Sequence, residues 1–573
     1  MSGLPWLKHY DEDVPHSLAP YPPVPLFCLL EESARKYPQR ACTVFKGASL
    51  TYAQVNELTD RVAAALASLG VKKGDRVVIF MPNTPQFVFT CYGILKAGGV
   101  VVAVNPLYSA PQIEHQLSDS GAQVAVVMSN FYKRLKDVQP RSNLKRVVVT
   151  NIKEYLPPVL RLLFTLAKEK KEGHHVTLAE GDVWLQDLLA RFKAGDRPNV
   201  NVGPDDVALF QYSGGTTGEP KAAVALHRNL VANTLQMRAW LTTAKDGCEV
   251  TLMAIPLFHV YGMVCGMSHA ICIASTLVMA PNPRDLRDLF ENINKYQPSI
   301  FPGVPTLYNA INNHPDVIAG KVKLGSIRSC ISGSAPLMMD TKTRFEALTG
   351  GRLFEGYGLS EAPTATHCNP MLGKNVAGSI GLPFPDVECE IVSLDDGVSE
   401  MPVGEIGEIV LRGPQVMKGY WQMPTETSNA LRDRGDGGAP WLFTGDIGRM
   451  DAEGYFYVVD RKKEMIKASG FQVWPREVEE VISAHPKVLE VGVAGVPDSY
   501  RGEAPKAWIV PRPGATLTEQ EIIEWCRDKL ARFAVPAEIE FRCELPKTTV
   551  GKVLRRELAR ENKVTATQRM PNS

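Results

Sequence analysis

Net charge is nearly absent from this chain: 63 lysines and arginines stand against 62 aspartates and glutamates, for a formal charge of +1. Such a balance gives no general attraction to a phosphate backbone, so nucleic acid is not an expected partner. Paired cysteines are missing too. The 11 cysteines are odd in number and no two have C-x-x-C spacing, which speaks against a disulfide framework and a zinc site and suits a reducing, cytoplasmic setting. No run of 18 apolar residues occurs. The nearest approach, Cys265 to Ala280, is interrupted by Ser268 and His269, so no membrane-spanning helix is expected. The start, Met1-Ser2-Gly3-Leu4-Pro5-Trp6-Leu7-Lys8, lacks the apolar core of a signal peptide. Internal repeats and low-complexity tracts are absent, which excludes a solenoid or a disordered linker protein.

What the chain does have is length and periodicity. Its 573 residues, 45% hydrophobic, exceed a single core, so two or more domains are expected. Thr51-Tyr52-Ala53-Gln54 has the form of a capping box, and a helical pattern follows through Val62, Ala65, Leu66 and Leu69. Short continuous apolar runs at Arg76 to Phe80, Val100 to Val104 and Val124 to Val127 read as buried parallel strands, with helices between them. This rhythm predicts a doubly wound α/β sheet. Val159, Leu162, Leu163 and Leu166 share one helical face ahead of Lys168-Glu169-Lys170-Lys171. That pattern suits either a helix on an anionic membrane surface or one packed on its own domain. The texture changes near Asp460-Arg461-Lys462-Lys463-Glu464. Beyond it a helix at 475–485, a strand at 488–496 and a helix at 518–530 outline a small separate unit.

The densest chemistry lies in Tyr212-Ser213-Gly214-Gly215-Thr216-Thr217-Gly218-Glu219-Pro220-Lys221, which follows the apolar run Val207 to Phe210. Glycines permit close approach of backbone to a ligand, freed N–H groups and hydroxyls can surround phosphate oxygens, and Lys221 adds positive charge. No register fits G-x-x-x-x-G-K-[ST], because Gly218 precedes Glu219-Pro220 and Lys221 precedes Ala222. A Walker loop is therefore rejected. A ligand-free polar turn is the plain alternative.

Five further segments carry related chemistry: Ser332-Gly333-Ser334-Ala335-Pro336; Glu355-Gly356-Tyr357-Gly358-Leu359-Ser360-Glu361; Phe443-Thr444-Gly445-Asp446; Asp460 to Lys467 with Ser469-Gly470 behind it; and Pro546 to Lys552. Together and in this order they resemble the adenylate-forming superfamily of acyl-CoA synthetases, luciferases and adenylation domains, over roughly Leu26 to Glu561. Asp460 to Ile466, Gly413 to Trp421 and Gly551 to Leu558, with the 155–171 helix, are most similar to bacterial long-chain fatty-acid–CoA ligases.

The resemblance implies a large multi-subdomain N-terminal AMP-binding domain (1–459), a hinge segment (460–464) and a small α+β C-terminal domain (465–573) that rotates on the hinge. It implies activation of a fatty acid with ATP to acyl-AMP and pyrophosphate, then thioester formation with coenzyme A. By resemblance, Tyr212 to Lys221 holds the β- and γ-phosphates. Thr216 and Glu361 position Mg²⁺. Tyr357 stacks on adenine beside the Gly333-Ser334-Ala335-Pro336 turn, with Glu355, Gly356 and Gly358 around it. Asp446 accepts from the ribose hydroxyls with Arg461 assisting. Lys552 reaches the attacking carboxylate and the α-phosphate. Lys463 is the hinge, or else an ordinary linker lysine. Ser469, Gly470 and Phe471 line the path of CoA.

His259, in Pro256-Leu257-Phe258-His259-Val260-Tyr261-Gly262, falls where the family places a residue near the acid, though a hydrogen-bonded core histidine fits equally. Met263, Met267, Gly303, Val304 and Pro305 suit an acyl tunnel or plain core packing, and Met263 stands where one long-chain relative has a gating tryptophan. A medium-chain or aryl-acid CoA ligase, an acyl-AMP ligase serving a carrier protein and a non-catalytic relic are the rival readings. Peripheral contact with the inner membrane face and a homodimer are left open.

Overall fold

A computed structural model describes residues 4–212, 220–468, 471–498, 501–548 and 552–568. Its chain forms two compact units: residues 4–212 with Pro220–Glu388 and Arg412–Asp433, and Cys389–Leu411 with Arg434 onward.

The first unit contains two large sheets. Strands β1 (Ala41–Phe45) and β2 (Ala48–Thr51) form a hairpin whose two turn residues, Lys46 and Gly47, both have positive φ. That geometry matches the right-handed twist of the flanking strands. Thr51 then caps the helix Tyr52–Ser68: its Oγ1 accepts from the Gln54 N–H at 3.2 Å, and Gln54 Oε1 accepts from the Thr51 N–H at 2.8 Å. The first sheet comprises β3 (Arg76–Phe80), β4 (Val100–Ala103), β5 (Val124–Met128), β6 (Arg146–Thr150), β7 (Val183–Trp184), β8 (Val207–Tyr212) and β9 (Ala222–Leu226). The order is β7-β6-β5-β3-β4-β8-β9, with Gly419–Tyr420 along the far edge. All pairs from β7 to β8 are parallel. The apolar runs read from sequence are β3, β4 and β5, and their apolar residues are buried because helices cover both faces. Helices Tyr52–Ser68 and Pro85–Lys96 cross at Gly93, where a Cβ would lie 2.4 Å from Val62 Cγ1.

β8 and β9 are antiparallel, with Tyr212 opposite Ala222. The glycine-rich segment therefore connects a hairpin instead of leading from strand to helix. A Walker loop needs the latter, so topology agrees with its rejection.

The second sheet holds β10 (Val250–Met253), β11 (Thr276–Met279), β12 (Ile300–Gly303), β13 (Ser329–Ser332), β14 (Arg352–Leu359) and β15 (Ala362–Cys368). Its order is β15-β14-β13-β12-β10-β11-β1-β2 with Leu382–Pro383 beyond β15. From β14 to β1 the strands are parallel. The chain reverses direction of growth between β10 and β12, which makes their carboxyl ends a topological switch point, where open α/β sheets bind ligands. The apolar stretch 265–280 is folded here as the end of a π-helix (Tyr261–Ser268), a short helix (His269–Cys272) and β11, buried almost throughout. Among the described residues no helix is long and apolar enough to cross a membrane.

Helix Pro158–Ala167 does not pack its apolar face on its own unit. Val159, Leu160, Leu162, Leu163 and Leu166 are 43–77% exposed, and only Phe164 is buried.

The second unit contains an antiparallel sheet with strands Gly407–Arg412, Trp441–Met450 and Phe456–Arg461. It also contains a mixed α+β module. Strands Val488–Asp498 and Gly502–Pro511 pair antiparallel, and Glu538–Phe541 adds a parallel strand. Val493, Ala507 and Ile509 meet helices Pro475–Ser483 and Glu519–Arg527, whereas Ala494, Val496, Trp508 and Val510 meet Leu545 and Leu558. The period of two along each strand gives the module a core on both faces.

Candidate active site

Gly303 and Ser332 end β12 and β13 as register partners, and Glu355, midway along β14, closes the pairing with β13 opposite Ser332, so three predicted or adjoining segments leave the switch point side by side. The buried Tyr261 ring supports this row. Its hydroxyl donates to the carbonyls of Ile331 (2.7 Å) and Gly303 (3.1 Å). A Cβ on Gly333 would lie 3.3 Å from that ring, so a side chain there would press on it. Ser334 follows at φ 70°, a left-handed conformation costing a non-glycine residue about 1–2 kcal/mol. Ala335 and Pro336 complete the turn.

Gly356 is opposite Cys368, and Tyr357 is opposite His367. The Tyr357 ring meets His367 edge-on at 5.7 Å and is half-exposed, while Glu355 is buried. Gly358 is demanded by the hairpin itself, because a Cβ there would fall 1.5 Å from Thr364 O. Burial lowers the pKa of His367 to about 3, so this ring is neutral.

Glu361 lies in the turn of this hairpin, between Leu359 and Ala362. It accepts a 2.8 Å hydrogen bond from the Tyr420 hydroxyl through Oε1, and its carbonyl accepts from Met417 N–H at 2.8 Å. Lys221 pairs with Glu426 and lies 5.4 Å over the Tyr420 ring. Tyr420 thus bridges the Lys221 cation and the Glu361 carboxylate, and Glu426 pairs with Lys221. Only the aromatic in the 413–421 segment hinted at them. Tyr212 is different: its side chain is buried and its hydroxyl donates to Asp119 Oδ2 at 2.5 Å, which leaves its backbone as the part that can face a ligand. Ser213, Gly214, Gly215, Thr216, Thr217 and Gly218 lie outside the described residues.

His259 is half-buried, and its Nδ1 accepts from Tyr261 N–H at 3.2 Å. Burial lowers its pKa to about 4. The neutral ring with Nδ1 accepting carries its proton on Nε2. Met263 follows in the π-helix, 2% exposed. Gly262 is required there because a Cβ would lie 2.1 Å from Pro256 O. Such π-turns recur at functional sites.

In the second unit, Gly445 at φ 71° turns strand Trp441–Met450 so that Asp446 faces Arg461 across the pair. The Asp446 N–H donates to Thr444 Oγ1 at 3.0 Å, and Thr444 Oγ1 donates to Ile409 O at 2.7 Å. Asp446 is 2% exposed, and Arg461 Nε lies 2.8 Å from its Oδ1. Lys462 pairs with buried Glu408 at 2.8 Å. Lys463 is exposed and has no side-chain partner among the described residues. Lys552 is half-buried. Its N–H donates to Thr548 Oγ1 at 3.1 Å, and its carbonyl accepts from Thr548 N–H at 2.8 Å. Burial pushes its pKa below the ordinary lysine value and the Arg461 charge adds to this, while Glu464 and Asp446 oppose it. Phe471 is exposed and stacks on Phe533 at 4.6 Å. Ser469 and Gly470 lie outside the described residues.

A family model described as AMP-binding enzyme matches residues 30–421, and one described as AMP-binding enzyme C-terminal domain matches residues 477–552. The chain belongs to the AMP-binding enzyme family. The expected architecture, a large N-terminal AMP-binding domain with a small C-terminal domain of mixed helix and sheet, is the one present. Members similar to it include a long-chain-fatty-acid–CoA ligase of Bacillus subtilis (strain 168), 42% identical over 563 residues and covering 98% of each chain. Another long-chain-fatty-acid–CoA ligase, of Yersinia pestis, is 37% identical over 560 residues, 97% of this chain and 98% of that one. Among solved structures, ATP-bound MatB from Rhodopseudomonas palustris matches with a TM-score of 0.81 and 27% identity, over 94% of this chain and 98% of its own.

Proposed function

We propose that this chain is a long-chain fatty acid–CoA ligase: it joins a fatty acid to ATP as acyl-AMP with release of pyrophosphate, then passes the acyl group to the CoA thiol and releases AMP. The observation that carries this reading is the row Gly303, Ser332 and Glu355 at the switch point, with the Gly333 to Pro336 turn and Tyr357 leaving from it. The near-full-length likeness to the Bacillus subtilis enzyme supports the substrate class.

The first step brings a carboxylate to a polyanion, and two like charges 4 Å apart cost about 4 kcal/mol at an effective dielectric of 20. Cations must offset this as charge develops. Lys221 would hold β- and γ-phosphates after exchanging its Glu426 partner for them. Lys552, a compact point charge on a flexible stem, would serve the α-phosphate and the attacking carboxylate. Its lowered pKa reflects burial, and the nearby Glu464 and Asp446 favour the charged form that this role requires. Tyr357 would stack on adenine, and Asp446, steered by Arg461, would accept from the ribose hydroxyls. His259 would offer Nε2–H to the acid, with Met263 on the acyl path.

Among the described residues no cluster of three or more His, Cys, Asp or Glu could hold a metal alone. Mg²⁺ is usually bound by one or two carboxylates plus substrate phosphates, so Glu361 with Thr216 is a fitting donor set. When bound, the ion would neutralise phosphate charge. The domain division at 460–464 would let the C-terminal part turn about Lys463 between half-reactions, bringing Ser469, Gly470 and Phe471 to the path of CoA. Lys463 suits a hinge, because its tethered neighbours Lys462 and Glu464 flank a side chain with no partner among the described residues.

Peripheral membrane contact belongs to the same proposal. The exposed leucines of 158–167 adjoin Arg161, Lys168, Lys170 and Lys171, and a lysine or arginine near an anionic surface contributes about 1 kcal/mol. The protein is expected to sediment with phosphatidylglycerol vesicles and not with phosphatidylcholine vesicles, and Leu163→Asp with Leu166→Asp should abolish this. No sedimentation with phosphatidylglycerol vesicles at low salt would refute it.

The deciding assay supplies ATP, Mg²⁺ and palmitate with and without CoA and follows AMP and acyl-CoA together. Equal yields of AMP and palmitoyl-CoA are expected. Activity confined to short or aromatic acids, or AMP release indifferent to CoA, would overturn the assignment.

A further inference from the structure

Asp460 is a carboxylate with only 3% of its surface exposed, yet no step above uses it. Three donors converge on it. The Arg461 N–H and Arg555 Nη1 donate to Oδ1, each at 2.7 Å, and the Arg476 N–H donates to Oδ2 at 2.7 Å. Arg476 Nη1 also donates to Val458 O at 2.7 Å. Two of these donors, Arg476 and Arg555, come from beyond Lys463, while Asp460 and Val458 precede it. Arg555 is three residues past Lys552. Its Nη1 also reaches Glu464 Oε2 at 2.6 Å, and its Nε and Nη2 grip Glu479 at 2.8 and 2.5 Å.

We propose that Asp460, with Arg555 and Arg476, forms a latch that closes across Lys463 and fixes the segment carrying Lys552, three residues before Arg555, against the strand that ends in Arg461. The proposal rests on the two-step reading above and names what times the turn between its steps. The charge arrangement makes the latch releasable. When Asp460 lets go, Arg555 keeps Glu464 and Glu479, so the guanidinium stays paired, and Asp460 can be solvated once its cover turns away. A buried charge stripped of every partner would be far more costly. The latch therefore acts on Lys552 through its position, and these three side chains are positioning residues for the adenylating step.

Asp460→Asn keeps the shape and one acceptor but removes the charge. Pyrophosphate exchange is expected to fall about tenfold, the worth of one charge-assisted hydrogen bond. Thioester formation from supplied acyl-adenylate should be unchanged or faster. Trypsin should nick the folded apo-protein after Lys462, Lys463 or Lys467 several-fold faster than wild type. Arg476→Ala, which removes the bond to Val458 O, should move both readouts the same way by less, and it carries the test if Asp460→Asn does not fold. Equal loss of both half-reactions would mean a structural role only and would overturn the latch, as would unchanged half-reactions with unchanged nicking. A wild-type protein without pyrophosphate exchange would sink the proposed function instead, and nicking would still judge the latch.

Discussion

Replacing Asp446 with asparagine isolates the charge at the proposed ribose site. Asp446 is 2% exposed, and Arg461 engages its Oδ1 at 2.8 Å, so asparagine keeps the volume and one carbonyl acceptor. A hydrogen bond to an ionised group contributes about 1.5–3 kcal/mol, against about 0.5–1.5 for a neutral pair. Each ribose hydroxyl should then lose about 1–1.5 kcal/mol, and two hydroxyls about 2–3 kcal/mol, or roughly 30–150-fold in affinity. Arg461 is partly exposed and can turn to water, which limits collateral damage to the fold. Calorimetric titration of AMP, 2′-deoxy-AMP and 3′-deoxy-AMP into wild type and variant forms a double-mutant cycle across the hydroxyls. Wild type should discriminate strongly against the deoxy nucleotides, and Asp446→Asn should discriminate little. AMP affinity within twofold of wild type would refute the reasoning, as would undiminished discrimination in the variant.

Lys552→Ala should lower pyrophosphate exchange by about 100-fold or more, the scale of losing one transition-state contact, while thioester formation from supplied acyl-adenylate stays within about threefold; parallel loss of both would remove the assigned role. Tyr420→Phe deletes the hydrogen bond to Glu361 and should raise the Mg²⁺ concentration for half-maximal activity by about tenfold, whereas an unchanged titration would detach Tyr420 from metal positioning. Burial lowers the pKa values of His174, His227, His259 and His269 to about 4 and of His367 to about 3, from an ordinary 6.5. The fold therefore prefers these rings unprotonated, and their stabilisation is complete above pH 6.5 and is lost as pH falls through 4. The melting temperature should be flat from pH 7 to 8 and decline steadily below 6.5, and a flat profile down to pH 5 would contradict the burial.

Much of the fold was legible because it is local. The Thr51–Gln54 capping box, the apolar runs that became β3, β4 and β5, and the helices of the C-terminal module follow from patterns within a dozen residues. The AMP-binding family was legible from the glycine, tyrosine and lysine segments in their order. Less visible was that Tyr212 turns its hydroxyl inward to Asp119, or that Lys221 meets Glu426 some 200 residues away. Glu408, Tyr261 and His367 carried no signal either, because a buried polar side chain looks the same in sequence as an exposed one.

The sequence by itself determined the inventory and the periodicities: which residues can bear charge, where glycine permits a turn, and which face of each helix or strand is apolar. Tertiary structure alone decided what covers each face and which charges meet. The five exposed apolar side chains of 158–167 have the periodicity of a packed helix, yet among the described residues nothing in their own unit covers them. Asp460 and Arg555 are separated by 95 residues and become partners only after the module folds. Periodicity is set by backbone geometry within a few turns, whereas burial and ion pairing depend on segments that only the folded chain brings together.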